Sequence, residues 1–448
     1  MALVAEMTID LARAVERFAA MLRVPTVSTR GDAHTDWTHF ARFRSLIDEQ
    51  YPLVRAHLDK EIVASHSLVY HWDVGVPDRP IVLMAHQDVV PADEDGWTHP
   101  PFGGVVADEA VWGRGAIDDK GVLVSILEAV EGLLHSGVVP VRDVYLVFGH
   151  NEEVGGDGIA QVVAMFRERG IVPGVVIDEG GGVAGDAFPG VDATIAVIGT
   201  AEKGILDLQM TAKDPGGHAS MPGRKTATAR LARAITRVDH HKFPARLTGP
   251  TVDLLTTAGV HAKGPLGAVL SRTDKLGPLV ARVLPRTGAL MNAMCRTTTV
   301  ATVLEGSAGN NVMAETARAV LDIRILPGET VDGTAQRIRR MIRDNGIQLD
   351  VLGATEPSPV SRTDDEVFAR LRQVVADTFP GAIVSPFLVV GATDARHMAR
   401  ISEYVYRFYP FELDAVSRRL IHATDERLAV SGLRHGIEFF TRLIRDWR

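Results

Sequence analysis

Short strand-like runs alternate with helical patterns through the first 180 residues, and this alternation restricts the fold more than any other feature. Residues 8–22 place Leu11, Val15, Phe18 and Leu22 at helical intervals. Apolar runs follow at 81–85, 143–149 and 174–178, each short, rich in β-branched or aromatic residues and bounded by turn formers. Helical patterns fall between them at 120–135 and 157–169. Such an order predicts an α/β fold, a mainly parallel sheet with helices on both faces. The middle of the chain differs. Strand patterns at 204–213, 297–304, 317–326 and 347–353, with helices at 225–241 and 331–345, give a β-α-β-β-α-β order. With 448 residues the chain is long enough for two domains. The expected division is a main domain of 1–199 and 356–448 and an inserted α+β domain of 200–355. Residues 243–296, with their glycines and prolines, receive no assignment, and the pattern resumes after Glu356-Pro357-Ser358-Pro359 to end in a helix at 425–446.

Open parallel sheets bind ligands beyond the carboxyl ends of their strands. There this sequence puts His86-Gln87-Asp88, Glu152-Glu153 and Asp178, while a loop with Gly113-Arg114-Gly115 leads to Asp118-Asp119-Lys120 at a helix start. His422 comes late, just before Thr424, which reads as a helix cap. Each residue alone has a mundane reading. Acidic pairs are usually solvated turns, and aspartates favour helix N-termini by about 0.3–1 kcal/mol each. Together, at one edge of one sheet, they read as a metal site. Imidazole nitrogen and carboxylate oxygen are zinc donors, and catalytic sites keep a position open. Five ligands suit two ions that share a carboxylate, about 3.5–4 Å apart. Asp118 is the expected bridge, since it offers two oxygens. Asp88, two residues beyond His86 on a strand, points the same way and is expected to orient the imidazole. Glu152 beside Glu153 supplies a general base next to a ligand.

Composition removes several alternatives. A net charge of −8 argues against nucleic-acid binding. No run approaches the roughly 20 apolar residues of a membrane span. The first ten residues lack a basic segment leading into an apolar run, so a secretory signal is not expected. One cysteine, Cys295, allows no internal disulfide and no cysteine zinc site. The expected location is cytoplasmic. Position 118 is Asp where a dinucleotide fingerprint has its third glycine, and neither Gly-x-Ser-x-Gly nor His-Glu-x-x-His occurs.

The stretch His86-Gln87-Asp88, Trp97, Pro100-Pro101-Phe102 and Trp112-Gly113-Arg114-Gly115-Ala116-Ile117-Asp118-Asp119-Lys120-Gly121 resembles the aminoacylase/carboxypeptidase family of di-zinc metallopeptidases. Glu152-Glu153-Val154-Gly155, Asp178-Glu179-Gly180-Gly181 and His422 continue the match in order. The resemblance implies two Zn²⁺ ions, with Co²⁺ or Mn²⁺ as substitutes. One would be held by His86, Asp118 and Asp178, the other by Asp118, Glu153 and His422, with Glu152 as base and a cis Asp118–Asp119 bond. It makes 1–199 and 356–448 the catalytic domain and 200–355 a lid, through which a homodimer is one assembly the family uses. Gly216-Gly217-His218-Ala219-Ser220 matches a lid motif whose histidine, His218, stabilises the oxyanion, sometimes across a dimer. Asn311 and Arg324 match positions that hold the substrate carboxylate, and the loop Gly391-Ala392-Thr393-Asp394-Ala395-Arg396 matches one that closes on the same end. Arg324 and Arg396 have the guanidinium chemistry for that anchor. The match departs at Ala314, where the family has proline, and in the length of 243–296. The implied reaction is amide hydrolysis next to a free carboxylate. Details around 178–181 and 392–396 lean toward the carboxypeptidase S-like branch, hence short peptides, with N-acyl amino acids as the alternative. A non-catalytic metal-binding protein on the same fold is the remaining class, and the intact Glu152 argues against it.

Overall fold

The computed structural model describes residues 9–31, 34–185, 191 and 193–447; the leader reading of residues 1–8 lies outside this range. The fold is mixed α/β. The large sheet runs, from edge to edge, Asp59–Val63, Ser67–Trp72, Val144–Gly149, Ile81–His86, Val175–Asp178, Val405–Arg407, Ile195–Glu202 and Ile383–Val389. Its centre, from Val144–Gly149 to Val405–Arg407, is parallel, and antiparallel strands flank it. Ile81–His86 and Val144–Gly149 are buried along their whole length, as strands covered on both faces must be.

Alternate residues supply two cores. Ile81, Leu83 and Ala85 face helices that include Leu11–Leu22, Lys120–His135 and Val430–Asp446, whereas Val82 and Met84 face Gly158–Glu168. The first helix is capped by Asp10, whose carboxylate accepts from Arg13 N–H. The last helix starts later than its pattern suggests. Arg427–Ala429 is a strand paired with Ala110–Trp112, and this pairing brings Glu426 beneath the 113–118 loop.

A second, antiparallel sheet has the order Thr298–Glu305, Thr316–Ile325, Gly204–Lys213 and Ile347–Thr355. Leu206, Leu208 and Met210 alternate inward with Leu321, Ile323 and Ile325, and pack under helices Ala227–His240 and Val331–Ile342. The opposite face carries Ile205, Asp207, Asp322 and Arg324 toward a cavity shared with the large sheet. Lys203 alone separates the strands of the two sheets. Its buried ammonium donates to Ala293 O, Arg296 O and Thr298 Oγ1 at 3.2, 3.0 and 3.0 Å.

The stretch left unassigned in sequence is helical: Gly249–His261, Gly264–Leu270, Thr273–Val283 and Ala289–Cys295. Pro250 and Pro265 sit in first turns, where a missing N–H costs nothing, so residues that look like breakers start helices. Gly249–His261 packs on Ile383–Val389, the edge of the large sheet, although in sequence it lies within the 200–355 stretch expected to form a separate domain. No described helix is long and apolar enough to cross a membrane.

Candidate metal centre

The centre forms where the parallel strands end. His86 closes its strand, and its Nδ1 lies 2.9 Å from the backbone oxygen of Asp88. An Nδ1–H donating there leaves Nε2 with its lone pair free to bind. That Nε2 meets Asp118 Oδ1 at 3.0 Å and Glu179 Oε1 at 3.6 Å. On the other side of Asp118, His422 Nε2 lies 3.2 Å from Oδ2 and 3.0 Å from Glu153 Oε2. Asp118 thus turns one oxygen to each imidazole. Two of the three described groups with donor atoms within 4.8 Å of one another meet here, His86, Asp118 and Glu179, and Asp118, Glu153 and His422.

The expected ligand set and the candidate groups differ at one position, Asp178 in the first and Glu179 in the second. Asp178 is the last strand residue, and its Oδ2 accepts from Ala395 N–H at 2.7 Å. Successive residues of an extended chain point to opposite sides, so Glu179 is the one turned toward His86. Tyr409 Oη fixes it further, donating to Glu179 Oε2 at 2.5 Å. The signal was within the same motif, one residue on.

Asp118-Asp119 do precede a helix, which starts at Lys120 with Asp119 at its N-cap. Asp119 makes no side-chain cap on Lys120–His135; its Oδ2 accepts from His86 N–H at 3.2 Å. The Asp118–Asp119 peptide bond is cis. Glu426, which sequence reasoning did not reach, holds this loop. Its carboxylate accepts from Arg114 Nη1 at 2.7 Å and from the N–H groups of Gly115, Ile117 and Asp118 at 3.0, 2.9 and 3.1 Å. No helix begins at Thr424, and His422 sits in a turn at φ 62°.

Asp88 acts on more than the imidazole. Its carboxylate accepts from Ser28 Oγ at 2.6 Å and from the N–H groups of Glu152 and Glu153 at 3.2 and 3.1 Å. The residue below His86 therefore places the glutamate pair.

The electrostatics follow from crowded acids. Burial, then the charge of Glu179, pushes the Glu152 carboxyl well above the usual range. Burial and Asp118 do the same to Glu179. Burial opposes ionisation of Asp118 as well, but hydrogen bonds from His422 and His86 prevail and hold it low. Contacts with Asp118 and Glu153 raise His422 to about 10. Glu153 Oε1 is buried with no hydrogen-bond partner. Converging acceptor atoms, an excess of buried carboxylates and an orphaned oxygen all fit divalent cations. The mixed imidazole and carboxylate donors are those of zinc-type sites.

A cavity of about 680 Å³ opens over Glu152, Glu153 and His422, and is also lined by Arg30, Asp207, Arg324, Gly391 and Arg396. Arg324 is held by Asp322 through Nε and Nη2 at 2.9 and 3.0 Å. Arg396 donates from Nη1 to Thr393 O at 2.6 Å and lies 3.9 Å from Glu152 Oε1. His218 and Asn311 are brought close to one another, where Ala219 N–H donates to Asn311 O at 3.0 Å. Both are exposed, and neither is among the described residues that line the cavity.

Fold and site together place two candidate metal-ligand groups at the carboxyl edge of an α/β sheet, beside a second sheet. Residues 82–446 match the model of peptidase family M20/M25/M40, and the chain belongs to that family, a metal-dependent group of hydrolases acting on amide bonds. It is 34% identical over 414 residues to the probable carboxypeptidase S-like 2 of Dictyostelium discoideum, covering 91% of this chain and 79% of that protein. Identity to the human N-fatty-acyl-amino acid synthase/hydrolase PM20D1 is 32% over 438 residues, 96% of this chain and 87% of the other. Among solved structures, an M20 family metallo-carboxypeptidase from Sulfolobus solfataricus superposes with a TM-score of 0.75 at 16% identity, over 96% of this chain and 98% of that one. Human carnosine dipeptidase 1 gives 0.71 at 16% identity, over 100% and 99%.

Proposed function

We propose that the protein hydrolyses an amide bond next to a free carboxylate, in short peptides or N-acyl amino acids, at a centre of two zinc ions. The observation that carries this reading is Asp118, whose oxygens face His86 and His422 separately. His86, Asp118 and Glu179 would hold one ion, and Asp118, Glu153 and His422 the other. A pair of divalent cations supplies Lewis acidity, polarising the scissile carbonyl and acidifying water.

The remaining work belongs to the chain. Glu152 is partly buried, its carboxyl is held high, and it lines the cavity beside Glu153. In its ionised form a carboxylate so placed takes a proton from the attacking water and returns it to the leaving amine nitrogen. Asp88 fixes its position through the backbone N–H. Arg324 has Nη1 left over from its pair with Asp322, which suits it to anchor the substrate carboxylate, and Arg396 closes the same cavity with Gly391. Asn311 would join that anchor, although it lies outside the cavity in this chain. His218 is exposed, with Nδ1 accepting from Ser220 N–H at 3.2 Å. That arrangement suits delivery of Nε2 to the site of a second copy in a lid-mediated homodimer, where it would stabilise the oxyanion. The division into a catalytic domain of 1–199 and 356–448 and a lid of 200–355 is part of the same proposal, as is a cytoplasmic setting, which the single cysteine supports.

Two groups of relatives support the two substrate types, carboxypeptidase S-like proteins and N-fatty-acyl-amino acid hydrolases. The test is amino-acid release by zinc-loaded protein from dipeptides and N-acyl amino acids. Chelator-sensitive release from either group supports the proposal. No release from any member would overturn it.

A further inference from the structure

Glu202 ends the strand Ile195–Glu202, one residue before Lys203 carries the chain to the second sheet. It is buried, and its two oxygens are used unequally. Oε2 accepts from Thr393 N–H at 3.1 Å, from Thr393 Oγ1 at 3.2 Å and from Arg407 Nε at 2.9 Å. Oε1 has no hydrogen-bond partner among the described residues, and neither has Nη2 of the fully buried Arg407. A carboxylate that served only to neutralise Arg407 would meet it with both oxygens, in the two-bond geometry this pair favours. Glu202 is turned toward Thr393 instead. Gly199 faces Arg407 in the register of their strands, and a Cβ there would lie 3.0 Å from Arg407 Cβ, so the glycine makes room for this arrangement.

Thr393 is the pivot of the loop 391–396. Its backbone oxygen accepts from Arg396 Nη1 at 2.6 Å, and Gly391, Ala392 and Arg396 line the cavity over Glu152. The backbone of Glu202 is tied in the other direction. Its N–H donates to Ser358 Oγ at 2.9 Å, and its oxygen accepts from Ser358 N–H at 3.2 Å. Glu202 and Ser358 lie on the two stretches by which the chain leaves the large sheet for the second one and returns. In the second sheet Ile205 pairs directly with Arg324, three residues beyond the same glutamate.

We propose that Glu202 is a positioning residue that sets Arg396 against Arg324, so that two guanidinium groups carried by different sheets serve one substrate carboxylate. The proposal rests on the amide-hydrolase reading above and deepens it, naming the joint that assembles its carboxylate anchor. The side chain of Glu202 holds the loop of Arg396, and its backbone holds the crossing that leads to Arg324. Neither arginine can then shift without straining the same residue. Such a joint matters because binding groups act in concert only at fixed separation, and a displacement of about 1 Å can cost about a hundredfold in rate.

The experiment compares kcat/KM of zinc-loaded protein for dipeptides and N-acyl amino acids with that for the same compounds as carboxamides. Glu202→Gln keeps an oxygen for Thr393 but gives up the charge, and is expected to lower the carboxylate-to-carboxamide ratio about tenfold, mainly through KM. Thr393→Val removes one bond and leaves Arg407 paired, and is expected to lower the ratio by less, while Thr393→Ser keeps it. A merely structural role would lower the thermal midpoint and leave the ratio alone. Calorimetric binding of the same compounds to Glu152→Ala protein, with and without Glu202→Gln, gives the ratio without turnover. A ratio that neither Glu202→Gln nor Thr393→Val changes, or no preference for the carboxylate in the unaltered protein, would overturn the proposal. A binding ratio that falls with Glu202→Gln in a protein that hydrolyses none of the compounds would instead count against the catalytic reading and leave the role of Glu202 standing.

Discussion

Asp88 Oδ2 accepts a hydrogen bond from the backbone N–H of Glu153 at 3.1 Å, while Oδ1 takes that of Glu152 at 3.2 Å. One carboxylate beneath His86 thus sets both the proposed base and a proposed ligand. Asp88→Asn replaces an acceptor with an amide NH₂, which confronts an N–H with a donor. Zinc affinity is expected to fall 10–100-fold, as for other residues that support metal ligands, with turnover falling alongside. Competition against a chromogenic chelator measures the first, and an unchanged affinity would contradict this role.

Glu179 and Asp178 separate the two ligand assignments. Glu179→Ala is expected to lose the ion on the His86 side and keep the one on the His422 side, halving the zinc content by mass spectrometry. Asp178→Asn keeps an oxygen near Ala395 N–H and is expected to retain both ions. The reverse pattern would restore the assignment read from sequence.

Glu426 is buried and joins Arg114 to three backbone N–H groups of the 115–118 loop. Glu426→Ala strands a buried guanidinium, a loss of about 3–5 kcal/mol for pairs of this kind. Denaturant unfolding reads it directly, and a loss below about 1 kcal/mol would mean that the loop is held by other contacts.

A cation that binds only the folded chain stabilises it by mass action, by about 2.7 kcal/mol at a hundredfold excess over its dissociation constant. The thermal midpoint is therefore expected to climb with added zinc and fall with chelator. A midpoint indifferent to both would show that the folded state holds no ion.

Much of this site could be read from sequence because chemistry falls where strands stop. His86, Glu153 and Asp118 follow apolar runs or precede a helix, and those boundaries are visible in composition. The choice between Asp178 and Glu179 was not, since a shift of one residue at a strand end reverses the side chain, and its outcome depends on Ala395 and Tyr409, more than 200 positions away. Glu426 was hidden for the same reason; a carboxylate that binds distant backbone leaves no local pattern. The helices at 249–295 were missed because Pro250 and Pro265 resemble breaks until a first turn is seen around them. His218 and Asn311 carry the expected motif, yet both are exposed and neither is among the described residues that line the cavity, so their part rests on the proposed homodimer.

The most direct test of the account is zinc content and turnover measured on one preparation of Glu152→Ala. The account predicts wild-type zinc content with turnover lowered at least a hundredfold, the lower end of what a general acid–base contributes. Full turnover with zinc in place would contradict the assignment of Glu152, and with it the proposed reaction at this centre.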